Sequence, residues 1–197
     1  MLVSEIFSSI QGEGNFLGVA ATFIRFVGCN LKCSFCDTKK TWEGKPQSTE
    51  MSIEEIVTRV VSYNNSLVVI TGGEPCLQIH LQELIDQLHL RNFLVTIETN
   101  GTQATPQVDW VTCSPKEDAN YCINMLCRPN ELKYVVTPEF DAATAIPETI
   151  RELYGGKIWL QPEGSQMQEM WKKCYALAVE DPRLRVGVQL HKLMEVE

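Results

Sequence analysis

Runs of β-branched and aromatic residues alternate along this chain with segments of helical periodicity, and the runs close on glycines or polar groups. The strand-like runs cover residues 20–26, 67–71, 93–99, 110–114, 132–136, 157–161 and 185–188; their length and turn flanks favour strands. Helical stripes fall between them. Ser52 and Glu55 form a capping-box pattern at the head of a stripe of Ile53, Ile56, Val57, Val60 and Val61, and Leu77, Leu81, Leu84, Ile85 and Leu88 make another. Further helices are expected over 142–153, starting near Asp141, and over 166–178. Such alternation implies parallel strands joined by right-handed crossovers. A closed eight-stranded α/β barrel takes about 250 residues, and this chain has 197. The pattern predicts one α/β domain over 1–197, an incomplete (β/α)6-type TIM-like barrel of about six strands, with its chemistry at the C-terminal strand ends.

The distinctive residues fall at those ends. Cys29, Cys33 and Cys36 follow the first long run, and Gly72-Gly73-Glu74-Pro75 follows the second. Glu98-Thr99-Asn100-Gly101 ends the third, Ser114-Pro115-Lys116 the fourth and Gln161-Pro162-Glu163 a later one. Gathered at one end of a barrel, they describe a single site.

The cysteines have the spacing C-x3-C-x2-C. Soft thiolates at this spacing can wrap one iron–sulfur cube. Three thiolates leave one iron open, and an open metal position is what substrate binding requires. The alternatives are a structural zinc site, which would want a fourth ligand that the nearby sequence lacks, and buried free thiols. The other cysteines, Cys76, Cys113, Cys122, Cys127 and Cys174, read as small buried hydrophobes or loop thiols, with an auxiliary cluster on Cys122 and Cys127 as the alternative.

Charge and composition exclude several classes. The formal charge is −8, and the only adjacent basic pairs are Lys39-Lys40 and Lys172-Lys173, so a nucleic-acid partner is not expected. The N-terminus lacks a basic region followed by an apolar run, and no apolar stretch reaches the ~20 residues of a membrane helix. A cytoplasmic protein is expected, in which eight cysteines point to metal or redox chemistry rather than disulfides.

The cysteine spacing, the aromatic Phe35 before Cys36 and the Gly72–Pro75 turn together resemble the radical S-adenosylmethionine (SAM) superfamily. The resemblance implies a 4Fe-4S cluster on Cys29, Cys33 and Cys36, with the SAM amino and carboxylate groups on the open iron. One electron then splits the sulfonium and yields a hydrogen-abstracting 5′-deoxyadenosyl radical. The cofactor-binding set implied is Phe35, Cys36, Asp37, Gly73, Glu74, Glu98, Ser114, Pro115, Lys116 and Gln161. Chemically, glycines let backbone approach a ligand, Glu74 can accept from the SAM ammonium, and Ser114 and Lys116 offer a hydroxyl and a cation to its ribose and carboxylate. For Ser114, Lys116, Glu98 and Gln161 a solvated loop residue is the plainer alternative.

The N-terminal stretch narrows the family. Phe7, Ile10-Gln11-Gly12-Glu13-Gly14, Gly18, Phe23-Ile24-Arg25-Phe26, Cys36-Asp37-Thr38, Ile70-Thr71, Ser114-Pro115-Lys116, Gln161-Pro162 and Gln189-Leu190-His191-Lys192 resemble the 7-carboxy-7-deazaguanine synthases of the 7-deazapurine (queuosine) pathway. The resemblance implies a radical ring contraction of 6-carboxy-5,6,7,8-tetrahydropterin to 7-carboxy-7-deazaguanine, with loss of ammonia. It also implies Mg2+ dependence, a homodimer, and an electron donor such as flavodoxin or ferredoxin. Substrate contacts are implied at Ile10, Gln11, Gly12, Glu13, Arg25, Thr71 and His191, and a Mg2+ ligand at Thr38; no protein base is implied.

Residue chemistry agrees. Strand alternation puts Arg25 with Phe23, opposite Thr22, Ile24 and Phe26. If that face lines the barrel, the guanidinium needs an anion, either a substrate carboxylate or an internal Glu such as Glu13. Gln11 and Glu13 suit the N–H donors of a pterin edge. A lone hydroxyl at Thr38 needs substrate oxygens and water to complete a Mg2+ shell; its alternative is a turn hydroxyl, and that of Asp37 a loop cap. His191 is as well read as structural, and His80 and His89 as surface residues. Two rivals remain: a glycyl-radical enzyme activase, which leaves Ile10–Gly14 and Arg25 unexplained, and a non-catalytic metal-stabilised interaction module, which leaves the strand-end residues unexplained.

Overall fold

The computed structural model describes residues 1–42, 47–116 and 128–196. Cys122 and Cys127 lie outside the described residues. One sheet runs through the molecule, nine-stranded among the described residues, in the order β3-β1-β2-β4-β5-β6-β7-β8-β9. β1 is Leu2–Ile10, β2 Ala20–Phe26, β3 Thr49–Glu50, β4 Leu67–Gly72 and β5 Leu94–Thr99. β6 is Trp110–Cys113, β7 Glu131–Val136, β8 Lys157–Pro162 and β9 Leu184–Val186. From β2 to β9 every pairing is parallel. The expected six-strand core is present as β2 and β4 to β8, and β9 adds a short further strand. The sheet stays open between its edges, β3 and β9. β1 and β3, which the run pattern misses, pair antiparallel at the β2 end.

The helices are α1 Ile53–Val61, α2 Leu81–His89, α3 Ala142–Ala145, α4 Glu148–Leu153, α5 Met167–Glu180 and α6 Leu190–Leu193. The Ser52–Glu55 capping box forms as expected: Ser52 Oγ accepts from Glu55 N at 3.2 Å, and Glu55 Oε2 accepts from Ser52 N at 2.7 Å. Two helical expectations need correction. Val61 and Leu77 are 50% and 40% exposed, and Leu77 belongs to a short 3-10 turn after Glu74 rather than to α2. The helix expected over 142–153 breaks into α3 and α4, because Pro147 forces Ile146 into an extended conformation.

Strand register sorts the side chains into two faces. Ile24, Phe26, Val68, Ile70, Val95, Ile97, Leu132 and Leu160 are fully buried on the outer face under the helices and form the main core. The inner face has only a small apolar cluster of Ala21, Leu67 and Val69 with Phe16 and Phe23. Its remaining positions are largely polar. In register they run Arg25, Thr71, Glu98, Thr112, then Glu131 with Lys133 on β7, and Gln161 on β8. A barrel interior this polar is a site rather than a core.

Candidate active site

A cavity of about 280 Å3 opens on the inner face. Its floor is the segment after β1. Gln11 is 7% exposed and donates from Nε2 to Glu98 Oε1 at 3.4 Å, while its Oε1 accepts from Glu13 N at 3.2 Å. Lys133 stands between two carboxylates, 2.6 Å from Glu13 Oε2 and 2.7 Å from Glu98 Oε2. Glu13 Oε1 also accepts from Gln189 Nε2 at 2.7 Å. Burial pushes the Lys133 ammonium down, but the two carboxylates outweigh it and hold it protonated. Burial raises the Glu13 carboxyl, yet Lys133 and the second donor Gln189 bring it below its ordinary value. Glu98 ends above its ordinary value, because burial, Glu13 and Glu131 together outweigh Lys133.

Sequence reading missed Lys133. Its signal was a lone lysine at an alternating position of an apolar strand, which reads as a solvent-facing residue until the sheet curls.

Arg25 lies on the wall and donates from Nε to Glu5 Oε1 at 2.6 Å, with its guanidinium 5.6 Å from the Phe7 ring centre. The internal partner is therefore Glu5, not Glu13. The reason is register: Glu5 of β1 sits directly opposite Arg25 of β2 in the antiparallel pair. Nε is committed to Glu5, and among the described residues the two Nη groups make no hydrogen bond or ion pair, which leaves them for an anion in the cavity. Lys40 also reaches Glu5, at 2.9 Å. Burial raises the Glu5 carboxyl, but hydrogen bonds from Lys40 and Arg25 bring it below its ordinary 4.5. A carboxyl lowered by folding stabilises the fold above its unfolded pKa and loses that contribution as pH falls through the folded one. Glu5→Gln is expected to lower the melting temperature at pH 7, and the gap to the parent should narrow as pH falls below 4.5. Thermal scans across this range check it.

The cluster loop covers the C-terminal end of β2. Cys29, Cys33 and Cys36 all line the cavity and are half-buried. Cys29 Sγ accepts from Leu31 N at 3.4 Å, and Cys36 Sγ from Trp42 Nε1 at 3.3 Å. Thr38 Oγ1 is 3.7 Å from Cys36 Sγ. Burial and the neighbouring Glu74, Cys33 and Cys36 push the Cys29 thiol up, so a positive centre is needed to hold it as thiolate. Among the described residues no three His, Cys, Asp or Glu side chains stand close enough to share one metal ion. A cube does not ask them to, since each thiolate binds a different iron. The donor set fits such a group: three sulfurs around one cavity, met by N–H donors of the kind that neutralise cluster sulfur.

The glycines of the Gly72–Pro75 turn also let another stretch of backbone come close. A Cβ on Gly73 would lie 1.9 Å from Gly28 O, and one on Gly72 2.3 Å from Phe26 O. The glycines thus admit the backbone of the cluster loop, which is laced to the turn by Gly73 N to Phe26 O at 3.1 Å and Glu74 N to Gly28 O at 2.7 Å. The Glu74 carboxylate is fully buried and accepts from Thr99 Oγ1, Asn100 N and Cys76 N at 2.7, 2.7 and 3.0 Å. Gly72 and Gly73 line the cavity, whereas Glu74 lies behind that lining. Gly73→Ala is expected to cost about 3 kcal/mol, since backbone at the contact cannot step aside. The chain should also retain less iron after reconstitution; unchanged melting and iron content would refute this.

Other walls complete the site. Lys116 donates to Ser114 Oγ at 2.6 Å and Ser114 O at 2.8 Å, with burial pushing its ammonium down. Phe35 lies 5.9 Å from the Lys116 Nζ. Gln161 is 3% exposed, lines the cavity and has no partner for Nε2 among the described residues, so it presents an unused donor to any ligand. The C-terminal segment crosses the mouth. Leu190 N donates to Gly12 O at 2.9 Å, and Lys192 Nζ reaches Asp37 Oδ2 at 3.1 Å. His191 packs so closely that a Cβ on Gly12 would lie 2.0 Å from its Nδ1, and burial lowers its pKa.

Ile10, Gly12, Thr71, Asp37, Thr38 and His191 all line the cavity. Among the expected site residues only Pro115 and Glu74 lie outside that lining. Besides Lys133, sequence reading did not assign Trp42, Gln189 or Lys192 to the site, although all three line it.

Residues 23–114 match the model of the radical SAM superfamily. The chain is 40% identical over 196 residues to the 7-carboxy-7-deazaguanine synthase of Bacteroides thetaiotaomicron, covering 98% of this chain and 97% of that protein. It is 32% identical to the synthase of Aquifex aeolicus, with 99% and 94% covered. The crystal structure of QueE from Escherichia coli superposes with a TM-score of 0.79 at 31% identity, over 96% of this chain and 94% of that one. A match of this extent, on an open barrel with its thiols, carboxylates and cations around one cavity, places the chain in the 7-carboxy-7-deazaguanine synthase family of the radical SAM superfamily.

Proposed function

We propose that this protein converts 6-carboxy-5,6,7,8-tetrahydropterin to 7-carboxy-7-deazaguanine with loss of ammonia, a Mg2+-dependent radical ring contraction using a 4Fe-4S cluster and SAM. The observation that carries the reading is the two-ended charge of the cavity. Its floor has Glu13 and Glu98 with only Lys133 between them, and its walls and mouth hold Arg25, Lys116 and Lys192. A ligand rich in N–H donors at one end and carrying a carboxylate at the other meets both ends. The pterin's 2-amino and N3–H edge takes the acceptors of Glu13, Glu98 and Gln11, and its carboxylate takes the free Nη groups of Arg25.

Cys29, Cys33 and Cys36 would hold the cluster, and Gly73, Ser114, Lys116 and Gln161 would orient SAM beside it. When bound, cluster and SAM supply the radical that takes hydrogen from the substrate. Thr38, next to the thiols, would give Mg2+ one hydroxyl and leave water and substrate oxygens to complete its shell. His191 and Lys192 exclude water by closing the mouth. The protein works in the cytoplasm as a homodimer, reduced by a flavodoxin- or ferredoxin-like donor. Among the described residues no helix is long and apolar enough to cross a membrane.

The test is anaerobic reconstitution followed by addition of SAM, dithionite, Mg2+ and 6-carboxytetrahydropterin, with mass spectrometry of the products. 7-Carboxy-7-deazaguanine that appears only with Mg2+ and SAM is the expected outcome. Slow 5′-deoxyadenosine with no deazaguanine would keep the radical chemistry and overturn the substrate.

A further inference from the structure

Glu131 is a charged residue that the proposed chemistry does not use. It opens β7 on the inner face, is 1% exposed, and has no cation within ion-pair distance among the described residues. Three donors from three parts of the chain converge on it instead. Thr112 Oγ1 donates to Oε1 at 2.9 Å, Asn15 N to Oε1 at 3.2 Å, and Trp159 Nε1 to Oε2 at 2.7 Å. Gly14 lies so close that a Cβ there would be 2.4 Å from Oε1. Asn15 is held a second time, by Lys157 Nζ on its Oδ1, and Phe16 packs edge-on against Trp110 at 5.5 Å. The segment immediately before this anchor is Gln11-Gly12-Glu13, the cavity floor.

We propose that Glu131 is a positioning residue for the substrate pocket: it pins residues 14–15 to β6, β7 and β8 and so sets where Gln11 and Glu13 stand relative to Glu98 and Lys133. An ionised carboxylate suits the task because it only accepts, and all three partners donate. An amide has one accepting end. In Glu131→Gln the NH2 must face either Trp159 Nε1, another donor, or the Asn15 N–H and Thr112 hydroxyl. Either arrangement leaves a buried donor unmatched, and the floor loses its fixed height. Removing the indole donor should cure this: in Glu131→Gln with Trp159→Phe, the NH2 turns toward the phenyl ring and the oxygen accepts from Asn15 and Thr112 again.

The inference rests on the pterin reading for its kinetic arm only. In Glu131→Gln, KM for 6-carboxytetrahydropterin is expected to rise about tenfold with kcat at saturation within about twofold. Amide exchange over residues 11–17 should quicken, and the double variant should restore both. Exchange is measured on the reconstituted protein without substrate, so it reads the tether even if the substrate reading fails. Unchanged exchange over 11–17 in Glu131→Gln would overturn the proposal. So would a fall in melting temperature with KM unmoved in a protein that does turn over the pterin, because that is a purely structural role. If the parent makes no deazaguanine, the pterin reading falls and the exchange result still decides this one.

Discussion

Cys33→Ala is expected to cut reconstituted iron and sulfide to under about a tenth and to lower 5′-deoxyadenosine formation at least about a thousandfold. Cys33 stands in the middle of the loop that begins at Cys29 and ends at Cys36, and all three thiols face the cavity. Two thiolates hold a cube too weakly to survive turnover, and without it nothing accepts the electron that starts the reaction. The loss should be selective. The loop is outside the main apolar core, so the unfolding free energy of the metal-free protein should stay within about 0.5 kcal/mol of the parent. Cys174 gives the contrast. It is fully buried on α5, and burial pushes its thiol up to about 12, which keeps it neutral and inert. Cys174→Ala should cost about 1 kcal/mol of stability and leave the iron content intact. Iron quantification with a thermal scan on both variants checks the pair; iron retained by Cys33→Ala would sink the ligand assignment.

The second large effect is expected at Lys133. Lys133→Met keeps the stem that packs in the barrel but removes the cation from between Glu13 and Glu98. The three side chains are only 13–18% exposed, and that exposure is to the cavity. Two buried carboxylates then face each other without compensation, which costs about 3 kcal/mol, the lower end of the range for breaking a buried pair. The sign of the pH dependence identifies the cause. In the parent, Lys133 holds the Glu13 carboxyl below its ordinary 4.5, a contribution that stabilises the fold above that pH. In the variant Glu13 rises and Glu98, already raised, rises further. A carboxyl raised by folding favours the fold when protonated, so the variant should regain stability as pH falls from neutral toward 4.5. Chemical denaturation at several pH values reads this directly. A stability gap that does not narrow on acidification would mean that lost packing, not charge, explains the variant. Turnover of the pterin should fall at least about a hundredfold, because Glu13 and Glu98 lose the point that fixes their free lone pairs.

Several parts of this protein were determined by the sequence alone. The three cysteines and their spacing, the glycine turn after the second strand, and the alternation that builds an open barrel are features of neighbouring residues. Their geometry follows from chain connectivity and short-range pattern, so they can be read without knowing where distant segments lie. The Ser52–Glu55 cap belongs to the same class and formed as written. Other parts only the tertiary structure decided. Lys133 and Glu13 are 120 residues apart, and Glu74 meets the Asn100 amide across 26. Arg25 found Glu5 rather than Glu13 because an antiparallel register put one strand directly against the other. The task of Gly73 was hidden for the same reason: what its missing side chain admits is the Gly28 carbonyl, a neighbour only once β2 and β4 lie side by side. Burial made the last difference. Lys133, a lysine that reads as surface, joined Glu13 and Glu98 in the floor of the site, because the sheet curls and turns one face inward, where a charge must find a partner within hydrogen-bond reach.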